Sequence, residues 1–145
     1  MPAQVQRGAF AGGLPTTAKN DKVYKDSYAA MLRMLGKLYD AGVPILAGTD
    51  ALAGFTLHRE LELEVKAGIP AEKALQIATW NAAKLLKQDK TLGSIAPGKA
   101  ADLLLVAGDS AENISDIRRG RVVMKNGVLF NCASVYAAIG VLPSN

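Results

Sequence analysis

One aspartate and one histidine lie where catalytic groups are commonly found. Asp50 lies two positions after the apolar run GVPILAG at residues 42–48, and His58 lies eight residues further along the chain. In parallel α/β sheets and barrels, ligands and catalytic groups gather at the carboxyl ends of the strands. Asp50 is therefore a candidate catalytic carboxylate, and His58, at a predicted helix start, could face the same pocket. The alternative is a turn whose aspartate caps a helix, with the histidine on the surface.

Three glutamates, Glu60, Glu62 and Glu64, form the other concentration of acidic groups. Alternate residues of a helix point in different directions, so the three carboxylates do not form a paired acid-base site. Arg59 and Lys66 lie beside them in the sequence. We therefore interpret the run as a solvated helix face.

Two other motifs predict no chemistry. Cys132 has no second histidine in the chain to activate it, which argues against a thiol nucleophile. The glycines of residues 11–13 lack the preceding strand and following helix that a phosphate-binding loop needs. A single cysteine cannot form an internal disulfide, and a single histidine cannot form a histidine-rich metal site.

Composition bounds the class of protein. The chain has 145 residues, half of them apolar and 21% charged, which fits one globular domain or one domain with an appendage. The net charge is +4, but the basic residues are scattered apart from the short cluster at 118–121, so we expect no nucleic-acid partner. The amino terminus lacks the apolar core of a signal peptide, and no apolar run approaches the ~20 residues of a membrane span. We expect a cytoplasmic protein without a membrane partner.

Periodicity in the first third of the chain predicts a helix followed by a strand. The apolar stripe of this helix comprises Tyr28, Met31, Leu32, Leu35, Leu38 and Tyr39. It recurs at helical spacing until Gly42, so we expect an amphipathic helix that covers a core. Residues 43–47 are nearly all apolar, as is typical of a strand buried on both faces. This order of elements indicates an α/β fold.

Two more helices are predicted before residue 90. Leu57, Leu61 and Val65 line one face of the first, and Gly68 is placed to end it. Pro70 begins the second, at a position where its missing N–H costs nothing. The stripe of this second helix is made mostly of small residues: Ala71, Ala74, Leu75, Ala78, Ala82, Leu85 and Leu86.

From residue 91 the pattern changes to short runs typical of strands, at 92–95, 102–106, 121–124 and 128–130. The dipeptide Asn126-Gly127 between the last two predicts a hairpin. We therefore divide the chain into an irregular arm at 1–21, an α/β unit at 22–90, a β unit at 91–131 and a tail at 132–145, in which 134–139 could form one or two helical turns.

Five motifs together resemble a known family. They are GVPILAGTD at 42–50, LHREL at 57–61, AGIP at 67–70, ATWNAA at 78–83 and LGSIAPGKAADL at 92–103. In order and spacing they resemble the C-terminal portion of the metal-dependent amidohydrolase superfamily, nearest to its imidazolonepropionase-like and prolidase-like branch. The resemblance covers about residues 22–131.

The resemblance implies a fold and a chemistry. Residues 22–90 would be the last helix–strand–helix part of a (β/α)8 TIM-type barrel, and 91–131 would be strands of a small β-sandwich. Asp50 would bind a divalent metal, commonly zinc, and take a proton from the metal-activated water; His58 would line the substrate pocket. The implied reaction is hydrolysis of a carbon–nitrogen bond in a small amide, a cyclic amide or a dipeptide.

The same resemblance implies that the chain is incomplete as an enzyme. A whole barrel needs roughly 250 residues, and zinc takes three or four protein ligands, of which Asp50 is one. We therefore expect a C-terminal fragment or a truncated gene product that is inactive alone. Its apolar faces would be covered by the missing N-terminal barrel part or by self-association into a homo-oligomer. The alternative is a non-catalytic interaction or scaffold module derived from the same fold.

Overall fold

The computed structural model describes residues 15–50 and 56–141. Within these ranges the helices are α1 (Asp21–Asp40), α2 (Leu57–Lys66), α3 (Ala71–Gln76), α4 (Ala82–Leu85) and α5 (Cys132–Ala138). A π-helical turn, Ile77–Asn81, joins α3 to α4, and a 3₁₀ segment, Ile114–Arg118, precedes the second strand. The strands are β1 (Leu103–Val106), β2 (Gly120–Lys125) and β3 (Val128–Asn131). None of the helices in the described ranges has both the length and the apolar character needed to cross a bilayer.

Helix α1 forms where the apolar period predicts it, but it covers little. Within α1, which is described throughout, no side chain is buried. Leu32 and Leu35 of the predicted stripe are half-buried, whereas Met31 and Leu38 are exposed. The helix touches the end of α2 at Gly36, where an added Cβ would lie 2.5 Å from the carbonyl oxygen of Ala67. A glycine is needed at this crossing, and Met31 and Leu38 of the stripe remain exposed in the described chain.

The predicted buried strand at 43–47 does not form from contacts within the described chain. Residues 43–49 run without strand pairing, and Val43 and Leu46 are 45% and 43% exposed. A strand exists through hydrogen bonds to a neighbouring strand, and none of the described strands pairs with this run. Ala47 alone of this run packs against the main core.

The apolar run at 92–95, also predicted as a strand, is part of an irregular loop. The Lys99 ammonium organises this loop by donating to the backbone carbonyls of Asp89 and Leu92 and to Ser94 Oγ. It also lies 4.6 Å from the centre of the Trp80 ring. These contacts fix the loop to the π-helical turn without any strand pairing, which sequence periodicity could not reveal.

The main core lies between α2, α3 and the 3₁₀ segment. Leu61 of α2, Ala71 and Ala74 of α3, and Ile114 of the 3₁₀ segment form one buried cluster. Small alanines let α3 approach α2 closely, as the predicted stripe of small residues requires. The core therefore joins the helical part of the chain to the β part.

The sheet is antiparallel, in the order β1-β2-β3. Leu104, Val123 and Phe130 are aligned across the three strands. Asn126 and Gly127 have φ of 49° and 79°, the left-handed pair that a tight type I′ hairpin requires, so the hairpin prediction is confirmed. Asp102 accepts from the backbone N–H of Asn126 and pairs with Lys125, which ties the turn to the start of β1.

Apolar side chains remain exposed on the sheet. Leu105 and Leu129 are 62% and 63% exposed, and Phe130, which lies on the opposite face, is 44% exposed. An open groove of about 840 Å³ runs between the α3–α4 stretch and β1. Its apolar lining includes Leu75, Ala78, Ala82, Leu86, Leu103 and Leu105. The described chain thus presents several uncovered apolar faces.

Candidate functional site

Asp50 lies at the end of the extended segment that follows α1, and its side chain is exposed. Its φ is +42°, in the left-handed region. Aspartate is one of the few non-glycine residues that tolerate this conformation, and strained backbone of this kind clusters at functional sites. The left-handed turn at Asp50 is the conformational feature that singles this carboxylate out. Residues 51–55, which follow it, lie outside the described ranges.

His58 lies in the first turn of α2 and is half-buried. Burial lowers its pKa below the ordinary value of 6.5, and the positive charge of Arg118 lowers it further, while Glu62 acts in the opposite sense. The imidazole is therefore neutral at physiological pH. A neutral imidazole can donate one hydrogen bond and accept another.

The two predicted site residues are not bonded to each other in the described chain. No hydrogen bond joins Asp50 to His58 in residues 15–50 and 56–141, and the charged groups acting on His58 are Arg118 and Glu62. The same ranges contain no cluster of three histidine, cysteine or acidic side chains that could hold a metal. Zinc needs three or four protein ligands, so the described residues do not form a metal site by themselves.

Glu62 is held in an ion pair and is only partly exposed, contrary to the sequence interpretation of a solvated face. Its carboxylate accepts from Arg118 Nε at 2.7 Å and from a terminal guanidinium nitrogen of Arg118 at 3.0 Å, and from Ser115 Oγ at 3.1 Å. Arg59 lies 3.5 Å away on the same helix. The hydrogen bonds with Arg118 are the main reason that the pKa of Glu62 falls to about 2. This pair fixes α2 to the 3₁₀ segment, close to His58.

Glu64 departs furthest from the sequence interpretation. The residue is 1% exposed, and neither carboxylate oxygen has a hydrogen-bond partner. Burial, with a smaller contribution from the negative charge of Glu60, raises the pKa of Glu64 to about 7. The signal was present in the sequence: Glu64 follows Leu61 by three positions, which puts it on the apolar face of α2.

The remaining sequence motifs yield no site. Cys132 is a buried free cysteine at the start of α5. The glycines at 11–13 lie outside the described residues. In the basic cluster at 118–121, Arg118 pairs with Glu62 and Arg119 with Asp116. These two arginines hold the fold together instead of forming a free positive patch.

Comparison with known proteins gives consistent matches. A profile described as the amidohydrolase family matches residues 14–129. An adenine deaminase from Mesorhizobium japonicum is 32% identical over 120 residues, covering 69% of this chain and 20% of that protein. An imidazolonepropionase from Picrophilus torridus is 32% identical over 117 residues, covering 80% of this chain and 29% of that protein.

A solved structure matches in both sequence and shape. The crystal structure of a Xaa-Pro dipeptidase with bound methionine in its active site is 42% identical to this chain, with a TM-score of 0.65. The match covers 69% of this chain and 25% of that one. The chain therefore spans less than a third of the length of each of these three proteins.

Proposed function

Because the chain belongs to the amidohydrolase family, we propose that it forms the C-terminal part of a metal-dependent hydrolase of carbon–nitrogen bonds. In this proposal α1 to α4 are the last helical layer of a (β/α)8 barrel, residues 43–49 provide its last strand, and the sheet belongs to a small β-sandwich. The unpaired extended segment and the exposed faces of the sheet support it, because both require further structure beside them.

In the proposed enzyme Asp50 binds the metal and transfers the proton. Its exposed carboxylate, on a left-handed turn after an apolar segment, is the observation that supports this role most directly. In the complete enzyme it would supply one ligand to a divalent metal such as zinc, which lowers the pKa of a bound water. The carboxylate would accept a proton from the attacking water and return it to the leaving nitrogen. His58 lies eight positions after Asp50 and is half-buried, and in this proposal it lines the substrate pocket.

A dipeptide or a related amide is the proposed substrate. The chain is 42% identical to a Xaa-Pro dipeptidase, against 27% to 37% for adenine deaminases and 32% for an imidazolonepropionase. This difference favours a dipeptide bond to a C-terminal residue such as proline over a cyclic amide or an amino group on a purine ring.

The chain alone would be inactive, since Asp50 is one ligand where three or four are needed. Full burial of an apolar side chain is worth about 1.5–3 kcal/mol, and each of its partly exposed apolar side chains leaves a share of this unrealised. The missing N-terminal part of the barrel would cover them and complete the ligand set. Self-association into a homo-oligomer would cover them without completing a site. A non-catalytic interaction module is the second candidate, favoured by the lack of a metal cluster among residues 15–50 and 56–141.

A complementation assay tests the proposal. We expect the purified chain, supplied with Zn²⁺ or Mn²⁺, to release no proline from Xaa-Pro dipeptides. Co-expressed with an N-terminal barrel portion taken from a Xaa-Pro dipeptidase, it should hydrolyse them, and Asp50→Asn should lower kcat at least ~100-fold. The control is Asp40→Asn, an exposed aspartate at the end of α1, which should have no effect.

Two results would count against the proposal. Turnover by the isolated chain would contradict its inactivity, and full activity of the complex that carries Asp50→Asn would remove Asp50 from the chemistry. A complex that assembles equally well with the unsubstituted chain and with the Asp50→Asn chain, but never hydrolyses an amide, would favour the interaction module.

A further inference from the structure

Glu64 is the one buried carboxylate among the described residues, and the proposed reaction gives it no role. It lies on α2 three positions after Leu61 of the main core, and these two are the buried residues of that helix. A carboxyl group without hydrogen bonds in an apolar setting is tolerated when it is neutral and strongly disfavoured when it is charged. The stability of the packing around such a residue depends on pH.

We propose that Glu64 is a proton-dependent latch: its neutral carboxyl lets α2 pack on its neighbours, and loss of the proton loosens that packing. The proton leaves to solvent water, and the carboxylate that remains has no cation to stabilise it. The proposal does not depend on the catalytic role of Asp50, so it can hold or fail independently of the proposed function.

The charged groups on the 3₁₀ segment and on α3 are engaged elsewhere or exposed. From the 3₁₀ segment, Arg118 pairs with Glu62, and Asp116 pairs with Arg119. From α3, Lys73 bonds to Gln76 and Glu72 is exposed. None of these groups forms a hydrogen bond or an ion pair with the Glu64 carboxylate.

The other neighbours offer no cation either. From α1, Tyr28 presents a buried hydroxyl without a hydrogen-bond partner, and the Lys66 ammonium lies 5.0 Å from the centre of its ring. The extended segment 43–49 contains no ionisable side chain. On α2 itself, Glu60 adds a negative charge that opposes ionisation of Glu64. A deprotonated Glu64 therefore gains no ion pair from any packed element.

The direction of the pH effect follows from this burial. The pKa of Glu64 is raised from 4.5 to about 7 in the folded chain, so the folded state binds this proton more tightly than the unfolded state. The latch is closed at pH 5, and its stabilising effect is lost as the pH rises through about 7. His58 lies in the first turn of α2, and the end of α2 contacts α1 at Gly36. Loosening of α2 would therefore change the surroundings of His58 and the contact with α1.

The test combines direct titration with unfolding of the 145-residue chain. We expect the Glu64 side-chain carboxyl ¹³C resonance to titrate near neutrality, and the folded-to-unfolded ratio to fall about 50- to 100-fold between pH 5 and pH 8.5. Glu64→Gln, which keeps the shape without the proton equilibrium, should remove most of this fall. Glu72→Gln, an exposed glutamate on the neighbouring helix, should retain it.

Three outcomes would overturn the proposal. They are a Glu64 resonance that titrates near 4.5, a Glu64→Gln chain with an unchanged pH profile, and a chain without cooperative unfolding even at pH 5. If Glu64→Gln fails to fold, Glu64→Met and the titration of the unsubstituted chain decide the question. A Glu64→Met chain that still loses its stability between pH 5 and pH 8.5 would also contradict the latch.

Discussion

Glu62 and Glu64 are two positions apart on α2 and lie in opposite environments. Each residue of a helix turns by about 100°, so two residues that are two positions apart point to opposite sides. Glu62 faces the 3₁₀ segment and binds Arg118, which takes its pKa to about 2. Glu64 faces the apolar interior, which takes its pKa to about 7. Identical side chains thus serve as an ion-pair anchor on one face and as a neutral buried group on the other.

The two acids give folding stability opposite pH dependences. The folded pKa of Glu62 lies below its unfolded value of 4.5, so its stabilising effect is present above pH 4.5 and lost as the pH falls toward 2. The folded pKa of Glu64 lies above 4.5, so its effect is present below pH 4.5 and lost as the pH rises through about 7. Both effects are largely retained near pH 5, where these two groups favour the folded chain most.

Removing the buried acid should give the largest change. We expect Glu64→Met to raise the free energy of unfolding by about 3 kcal/mol at pH 8.5, because one pKa unit corresponds to about 1.4 kcal/mol. The gain should shrink at pH 5, where the wild-type carboxyl is already neutral. Urea unfolding at the two pH values measures it, with Glu72→Met as the exposed control. Equal gains at both pH values would show that packing, and not ionisation, separates the two faces.

Breaking the ion-pair anchor should give a smaller loss. Arg118→Ala should lower the free energy of unfolding at pH 7 by about 1 kcal/mol, a value discounted because the Arg118 side chain is 43% exposed. The loss should decrease at high salt and as the pH falls toward 2, since Glu62 is then protonated. Arg121→Ala, on the exposed side of β2, serves as the control in the same urea titrations. A loss unaffected by salt would indicate packing of the arginine stem instead of charge.

The smallest effect is expected at His58. Arg118 lowers the His58 pKa by its positive charge, so Arg118→Ala should move that pKa back toward the ordinary value of 6.5 without reaching it, because burial is the larger cause. An NMR titration of the imidazole protons measures the shift, and Arg121→Ala should leave it unchanged. If the His58 pKa falls in Arg118→Ala, the positive charge of Arg118 is not one of the causes that lower it.

Local patterns predicted the elements that depend on local interactions. The stripes beginning at Tyr28, Leu57 and Ala71 predict helices that the structure confirms, since a helix satisfies its hydrogen bonds within its own segment. The Asn126-Gly127 hairpin is confirmed for the same reason. The strand predicted at 43–47 does not form within the described residues, because its partner strands would have to come from elsewhere in the chain or from another chain.

The candidate site was predictable in part. The apolar run before Asp50 indicated this carboxylate, but its left-handed backbone is seen only in the structure. Glu62 and Glu64 were assigned together to solvent, because their sequence neighbours are charged and nothing in the sequence indicates that Arg118, 56 positions away, binds one of them. The comparisons, and not the geometry, identify the family.

The sequence alone determined the helices, the hairpin and the family motifs, because each depends on residues close together in the chain. Only the tertiary structure decided that Glu62 pairs with Arg118 and that Glu64 is almost fully buried. A side chain's solvation depends on segments distant in sequence, and for Glu62 that segment is the 3₁₀ segment with its arginine.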